Sequence, residues 1–184
     1  MISVITIAKN EEKTIERTIL SVTNQSAINE IEYIVIDGKS SDNTLEIIKK
    51  YKNKISKIIS EADFGIYNAM NKGIKAAKGE YILFLNAGDE LFCNKTIEEI
   101  LPKLNCGVVF ADASVRDEKG QKGTIDYDYL DDFELFYKSL PHMSTFIKKE
   151  LFLKFGLYDE TKKIVSDWQW FLKYFNSKGK YKYI

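Results

Sequence analysis

The sequence predicts an α/β fold: a mostly parallel sheet with helices on both faces. Three observations predict it. Runs rich in β-branched residues alternate with stretches whose apolar residues recur at helical spacing, the pattern of strand–helix–strand units. Several of those runs are apolar at nearly every position, as strands covered on both sides must be. Polar residues, acids above all, follow the strands at their carboxyl ends, where sheets of this kind bind ligands. The 184 residues suffice for one domain with its own core, and 45% hydrophobic with 29% charged is an ordinary globular composition.

In chain order, Ile2 to Ala8 is the first strand. Residues 11–24 follow as an amphipathic helix with Ile15, Ile19 and Val22 on one face. Asn10 is the expected N-cap, with Glu11 and Glu12 at the positive end of the helix dipole. "IEYIVI" (31–36) is the second strand and ends at Asp37 and Gly38. "KSSDNT" is a cap-rich loop into a helix carrying Leu45, Ile48 and Tyr51. "ISKIIS" (55–60) is the third strand. Residues 66–77 form a helix with Tyr67, Met70, Ile74 and Ala77 on one face, closed by Gly79. "YILFL" (81–85) is the fourth strand and runs straight into Asn86, Ala87, Gly88 and Asp89.

The second half is less regular. "GVVFAD" (107–112) reads as a fifth strand, "RDEKGQKG" as a hydrophilic turn, and "YDYLDDFELFYKS" as a helix or a flap. "STFIKK" resembles a strand and "ELFLKFG" a short helix stopped by Gly156. "SDWQWFLKYF" is a helix: Ser166 with Gln169 fits a capping box, and Trp168, Phe171, Leu172 and Phe175 form its stripe. "KYKYI" begins another strand. The sequence holds no repeat, low-complexity tract or linker.

Charge excludes several functions. The 27 basic and 27 acidic residues cancel, so no net field draws the chain to nucleic acid. Only Arg17 and Arg116 are arginine, which argues against an Arg cluster gripping phosphate by forked hydrogen bonds. Cys93 and Cys106 form no C-x-x-C pair and read as reduced thiols of a cytosolic protein. Met1 to Ala8 lacks the basic start of a signal sequence, and no apolar run approaches the ~20 residues of a membrane span. A single histidine, His142, rules out a His-rich zinc site.

The predicted strand ends carry Asn10, Asp37, Glu61 with Asp63, and Asp89, so one edge of the sheet is acidic. A carboxylate at the mouth of a buried strand is costly unless a cation meets it. With few arginines, a divalent metal carrying a phosphorylated ligand fits best, because Mg²⁺ or Mn²⁺ needs only one or two protein carboxylates when phosphates and water complete its shell. The first strand-to-helix turn reads "IAKNEEK", without the glycines of a dinucleotide fingerprint, and no Walker A sequence occurs.

Four segments at compatible spacings then carry a resemblance: "VITIAKNEEKTIERTILSVTNQS", "IDGKSSDNT", "SEADFGIYNAMNKGIKAAKGEYILFLNAGDEL" and "SDWQWFL". From residue 2 to about 175 the chain resembles family 2 inverting glycosyltransferases of the GT-A fold, a Rossmann-like architecture, and most of all bacterial enzymes of surface-polysaccharide synthesis. The resemblance implies a nucleotide-sugar donor, a UDP-sugar above others, held by Ala8, Asn10, Glu11, Asp37, Asp63 and Asn86. It implies Mg²⁺ or Mn²⁺ at Asp89, the last carboxylate of a D-x-D-like turn, and Asp167 as the base that deprotonates the acceptor. His142 and Trp168 are expected on the acceptor side. Residues 1–112 would be the nucleotide-sugar half and 113–184 the acceptor and base half of a single domain. The acceptor is expected to be a glycan or lipid-linked glycan, and the location cytoplasmic or at the inner face of the cell membrane. Relatives continue past the last strand, so membrane and acceptor contacts are expected beyond Ile184.

The chain departs from the family pattern at two turns: Asn86 and Asp89 stand where two or three acids are common, and Asp37-Gly38 stands for a frequent Asp-Asp. Duller readings remain open for single residues. Asp37 organises its turn, Asp167 caps its helix, Trp168 and Trp170 pack, and Asn71 and Lys72 sit on a polar helix face. Two further functions also stay open, a catalytically silent nucleotide-sugar-binding module and a sugar nucleotidyltransferase.

Overall fold

The structure, a computed structural model, describes residues 1–116, 122–125 and 139–184. The parallel part of its sheet is built from β1 (Ile2–Ala8), β2 (Ile31–Asp37), β3 (Lys57–Ser60) and β4 (Tyr81–Phe84). Three helices connect these strands: α1 (Ile15–Thr23), α2 (Thr44–Lys50) and α3 (Ile66–Ala76). A short helix α4 (Thr96–Ile100) then leads to β5 (Val108–Phe110) and to an antiparallel pair, β6 (Ala113–Arg116) with β7 (Lys122–Ile125). The chain closes with β8 (Thr145–Lys148), α5 (Lys149–Phe155), α6 (Ser166–Asn176) and β9 (Tyr181–Tyr183).

The main sheet has seven strands in the order β3-β2-β1-β4-β8-β5-β9. All neighbours are parallel except β8, which runs antiparallel to both β4 and β5. From β1 the chain winds outward through β2 to β3, then returns to lay β4 on the other side of β1. That reversal is a topological switch point, and the crevice beyond the carboxyl ends of β1 and β4 is where such sheets take their ligands.

Strand residues alternate between two cores. Ile34, Ile36, Ile82 and Phe84 face α3, α5 and α6 through Tyr67, Met70, Ile74, Phe152, Trp170 and Phe171. Tyr33, Val35, Tyr81 and Leu83 face α1, α2 and α4 through Ile15, Ile19, Val22, Ile48 and Ile97. Helices therefore cover both faces, as the doubly apolar strands require. Each fully buried aliphatic side chain contributes about 1.5–3 kcal/mol by leaving water.

Several local expectations shift. The first helix starts at Ile15 instead of residue 11, and Asn10 does not cap it: its backbone is left-handed, with φ 58°. The chain there is tied sideways to the next loop instead. The third strand begins at Lys57, because Ser56 turns its hydroxyl to the Tyr33 amide. Gly79 does not close α3, which ends at Ala76; its amide donates to Ser3 Oγ at 2.8 Å. Ser166 forms no capping box, since its Oγ accepts the Asp159 amide at 2.6 Å. The buried stripe of α6 is Trp170, Phe171 and Tyr174, not the one centred on Trp168. Trp170 wins the core because its indole N–H finds the Gly156 carbonyl at 2.8 Å. Most of "YDYLDDFELFYKS" lies outside the described residues. Cys93 and Cys106 are free thiols.

Candidate active site

Two loops knit together at the carboxyl ends of β1 and β2. The amide of Asn10 donates to Ser40 Oγ at 2.9 Å, that of Glu11 to Thr44 Oγ1 at 2.7 Å, and that of Glu12 to Asp42 Oδ2 at 3.2 Å. In return Asn10 Oδ1 accepts the Ser41 amide at 2.9 Å. The left-handed backbone at Asn10 and Lys39 turns these amides across the gap, a geometry Asn tolerates well and Lys less so. Ala8 is buried beside Asp37 in register, and its carbonyl accepts the Gly38 amide at 2.9 Å. Glu11 turns its carboxylate back to Thr14 Oγ1 at 2.6 Å.

Asp37 itself is 0% exposed. Its carboxylate accepts the Ser40 hydroxyl at 2.5 Å, the Ser60 hydroxyl at 2.6 Å and the Ser40 amide at 3.2 Å. Those bonds satisfy the carboxylate without a ligand. Asp63 lies across Gly38: a Cβ at residue 38 would fall 2.0 Å from Asp63 Oδ2. A side chain at residue 38 would therefore push the Asp63 carboxylate out of its place over the β2 end. Lys9 Nζ meets Asp63 at 3.4 Å. Ala8, Asn10, Glu11, Asp37 and Asp63 therefore gather in one region, but the Asp37 carboxylate is spent inside it.

The turn after β4 is a second group. The Ala87 amide continues the ladder onto the Ile7 carbonyl at 3.0 Å, which sets Asn86 beside the end of β1. Gly88, at φ 104°, bends the chain back so that the Asp89 amide reaches the Asn86 carbonyl at 2.9 Å. Helix α1 holds this bend from beneath. Thr18 Oγ1 accepts the Gly88 amide at 2.9 Å, and the Arg17 guanidinium donates to the Gly88 carbonyl at 2.9 Å while lying 3.6 Å from Glu90. The Asn86 amide nitrogen sits 2.8 Å from His142 Nε2, and in that pose the buried Asn86 Oδ1 has no partner among the described residues. Burial pushes the Asp89 carboxyl above its ordinary range, more strongly than His142, a backbone hydrogen bond at Asn86 and Arg17 pull it down.

These residues fit a hard divalent cation on one observation, the orphaned Asn86 oxygen next to an under-compensated carboxylate. Two oxygen donors are as many as Mg²⁺ or Mn²⁺ needs from protein when a diphosphate supplies others. They do not make a free-standing metal site: among the described residues no three His, Cys, Asp or Glu side chains group to hold one.

The third group lies where α3 meets α6. Asp167 stands in the first turn of α6, and Tyr67, from α3, donates its hydroxyl to Asp167 Oδ1 at 2.7 Å. Val165, just before the helix, is left-handed at φ 73°, an unfavourable state for a β-branched residue and a local strain at the turn into α6. Trp168 is half-buried and its indole nitrogen has no partner. Asn71 is buried, not on a polar face: it donates to the Tyr158 carbonyl at 2.9 Å and accepts the Tyr158 amide at 3.0 Å. Lys72 pairs with Glu61 at 3.1 Å. Sequence reasoning missed Arg17, Thr18 and Tyr67. Arg17's rarity in this chain was a usable signal; Tyr67 read only as an apolar helix position.

Comparison with known proteins agrees with this architecture. The sequence profile of Glycosyl transferase family 2 matches residues 3–156, which includes the first two groups and stops before Asp167. A PGL/p-HBAD biosynthesis glycosyltransferase of Mycobacterium bovis is 26% identical over 96% of this chain and 70% of its own length. An uncharacterized glycosyltransferase of Mycobacterium tuberculosis is 30% identical over 94% of this chain and 68% of its own. Among solved structures, S. aureus TarS 1-349 in complex with UDP-GlcNAc superposes with a TM-score of 0.79 at 22% identity, over 94% of this chain and 52% of that one. Mannosyltransferase PcManGT of Pyrobaculum calidifontis, in complex with GDP-Man and Mn²⁺, gives 0.77 at 16% identity, over 100% of this chain and 54% of that one. At such identities these structures show the fold alone, and the chain spans about half of each. Fold, switch-point site and profile lead to one statement: the chain belongs to glycosyl transferase family 2, on a GT-A fold.

Proposed function

We propose that the chain transfers a sugar with inversion from a nucleoside-diphosphate sugar, a UDP-sugar above others, to a hydroxyl of a glycan or lipid-linked glycan. The observation that carries this reading is the pairing of the orphaned Asn86 oxygen with the half-buried Asp89 at the switch point. Family membership supports it, as do the UDP-GlcNAc, GDP-Man and Mn²⁺ held by the solved neighbours.

In this reading residues 1–112 hold the donor. The Asn10–Glu11 loop and Asp63 line the nucleoside, while Asp37 acts indirectly, by fixing Ser40 and so the backbone that faces the ligand. Asn86 and Asp89 would hold Mg²⁺ or Mn²⁺, which when bound supplies positive charge against the departing diphosphate. Residues 113–184 serve the acceptor, with His142 and Trp168 at its side. The Asp167 carboxylate takes the proton of the acceptor hydroxyl as its oxygen forms the bond to the anomeric carbon. The bond from that carbon to the phosphate oxygen breaks on the far face, its electron pair leaves with the nucleoside diphosphate, and the configuration inverts. Asp167 stands at the start of α6 and is held there by Tyr67, so in this reading placement contributes much of the acceleration. No described helix is long and apolar enough to cross a membrane. For the reaction we propose the cytoplasm or the inner face of the cell membrane, the location the family resemblance implies.

A thermal-shift panel tests this. UDP, UDP-GlcNAc and GDP-mannose are each added with and without Mn²⁺. A ligand at a hundredfold its Kd stabilises by about 2.7 kcal/mol, which for a chain of this size is a rise of roughly 5–10 °C. The expected outcome is a rise with UDP or UDP-GlcNAc that needs Mn²⁺ and is kept by Asp167→Asn, whose turnover is lost. No shift with any nucleotide sinks the reading.

A further inference from the structure

We propose that Tyr67 is a positioning residue for the base: its hydroxyl occupies one oxygen of the Asp167 carboxylate and leaves the other to the acceptor. This rests on the reading of Asp167 as base. The geometry is specific. Tyr67 Oη lies 2.7 Å from Asp167 Oδ1, the length of a charge-assisted hydrogen bond, and no other side chain among the described residues bonds to that carboxylate. A carboxylate held at one oxygen keeps a single rotamer and offers the second oxygen in a fixed direction, which is what a weak base acting by placement needs.

The phenol is itself rigidly held. Its ring is buried on α3 and packs 5.6 Å from the Tyr158 ring at 57°. Tyr158 is fixed in turn by both backbone bonds to Asn71, one turn further along α3. Asn71 and Asn68 then hold Glu160 at 2.8 and 2.7 Å, so four hydrogen bonds staple α3 to the segment before α6. The titratable groups that face Asp167 are Tyr67 from α3 and Tyr158 from that segment. Both remain protonated in the working range: burial first, then the hydrogen bond to Asp167, pushes Tyr67 up to about 12, and burial carries Tyr158 well above its ordinary value. Tyr67 is thus a donor to Asp167 at every pH where the base would act.

Removing that donor frees the Asp167 side chain to turn, and Tyr67→Phe does so by deleting one oxygen while keeping the ring. Two readouts apply. In protein carrying ¹³C-carboxyl aspartate, the Asp167 resonance is assigned by its absence in Asp167→Asn, and its chemical shift is compared in Tyr67→Phe. In parallel, UDP release from UDP-GlcNAc is followed, with UDP binding as the check on folding. The expected result is a displaced Asp167 resonance in Tyr67→Phe and a kcat down about tenfold with donor KM within twofold. An unmoved resonance overturns the proposal, whatever the turnover. If the resonance moves and Asp167→Asn is inactive while Tyr67→Phe turns over like the unmodified protein, the bond exists but does not serve the reaction, and this proposal alone falls. If Asp167→Asn turns over normally, the base assignment falls and takes this with it.

Discussion

At the scale of single residues, the site trades stability for ligand. Asp89 is the clearest case. Burial lifts its carboxyl above the ordinary range, so the folded chain holds that proton more tightly than the unfolded chain. Stability therefore falls as pH rises from the ordinary carboxylate value through the raised one. Asp89→Asn removes this loss. Its melting temperature at pH 7 is expected to exceed that of the unmodified protein, and the two should converge in acid below the ordinary carboxylate value. The same substitution is expected to weaken Mn²⁺-dependent UDP binding by at least about tenfold, read by titration calorimetry. Asp89 stood out in the sequence because it closes the short turn after a buried strand, whereas Asp167 stood out only through the family resemblance, since an acid that opens a helix also reads as a cap. Asp37 was half legible: its place at the end of β2 was right, but three hydrogen bonds from Ser40 and Ser60 consume its carboxylate. Ser40 lies in the loop after β2 and Ser60 ends β3, so no spacing announces that they converge. Tyr67 was invisible as a polar group because its ring belongs to the apolar stripe and only its hydroxyl reaches Asp167.

At the scale of elements, side chains that bond to backbone fix how the parts meet. Asn71 is the strongest of these. It mimics a strand partner for Tyr158 and joins α3 to the segment that leads into α6. Asn71→Ala strands the Tyr158 amide and carbonyl in a buried place, and is expected to cost about 2–4 kcal/mol in urea unfolding. The asparagine read as a surface residue because helical spacing counts apolar positions and gives a buried amide no weight. The same blindness explains the helix ends. Asn10 and Ser166 look like caps by residue type, but both are drawn into tertiary bonds, Asn10 with Ser41 and Ser166 with the Asp159 amide. Local capping preferences of about 1 kcal/mol yield readily to such contacts. The long apolar runs fared better, since a strand apolar on both sides can hardly lie anywhere but between two helix layers.

At the scale of the molecule, strand order does most of the functional work. The return of β4 beside β1 places the Asn86–Asp89 turn next to the loops that hold Asp37 and Asp63, without any of these being near in sequence. The parallel β1–β4 half was legible from alternation. The antiparallel β8 was not, because a short run such as "STFIKK" carries no sign of its direction, and β8 separates β4 from β5 in the sheet. The cancelling net charge matters at this scale too. With no net charge to draw a diphosphate in, one set against the Asp89 carboxylate is repelled unless a cation comes with it, so donor and metal should bind together. Anomalous scattering from a crystal soaked with UDP and Mn²⁺ tests that directly. The account predicts a manganese peak between Asp89, the Asn86 side-chain oxygen and the UDP phosphates; a crystal with UDP bound and no manganese there, or with manganese elsewhere on the chain, contradicts it.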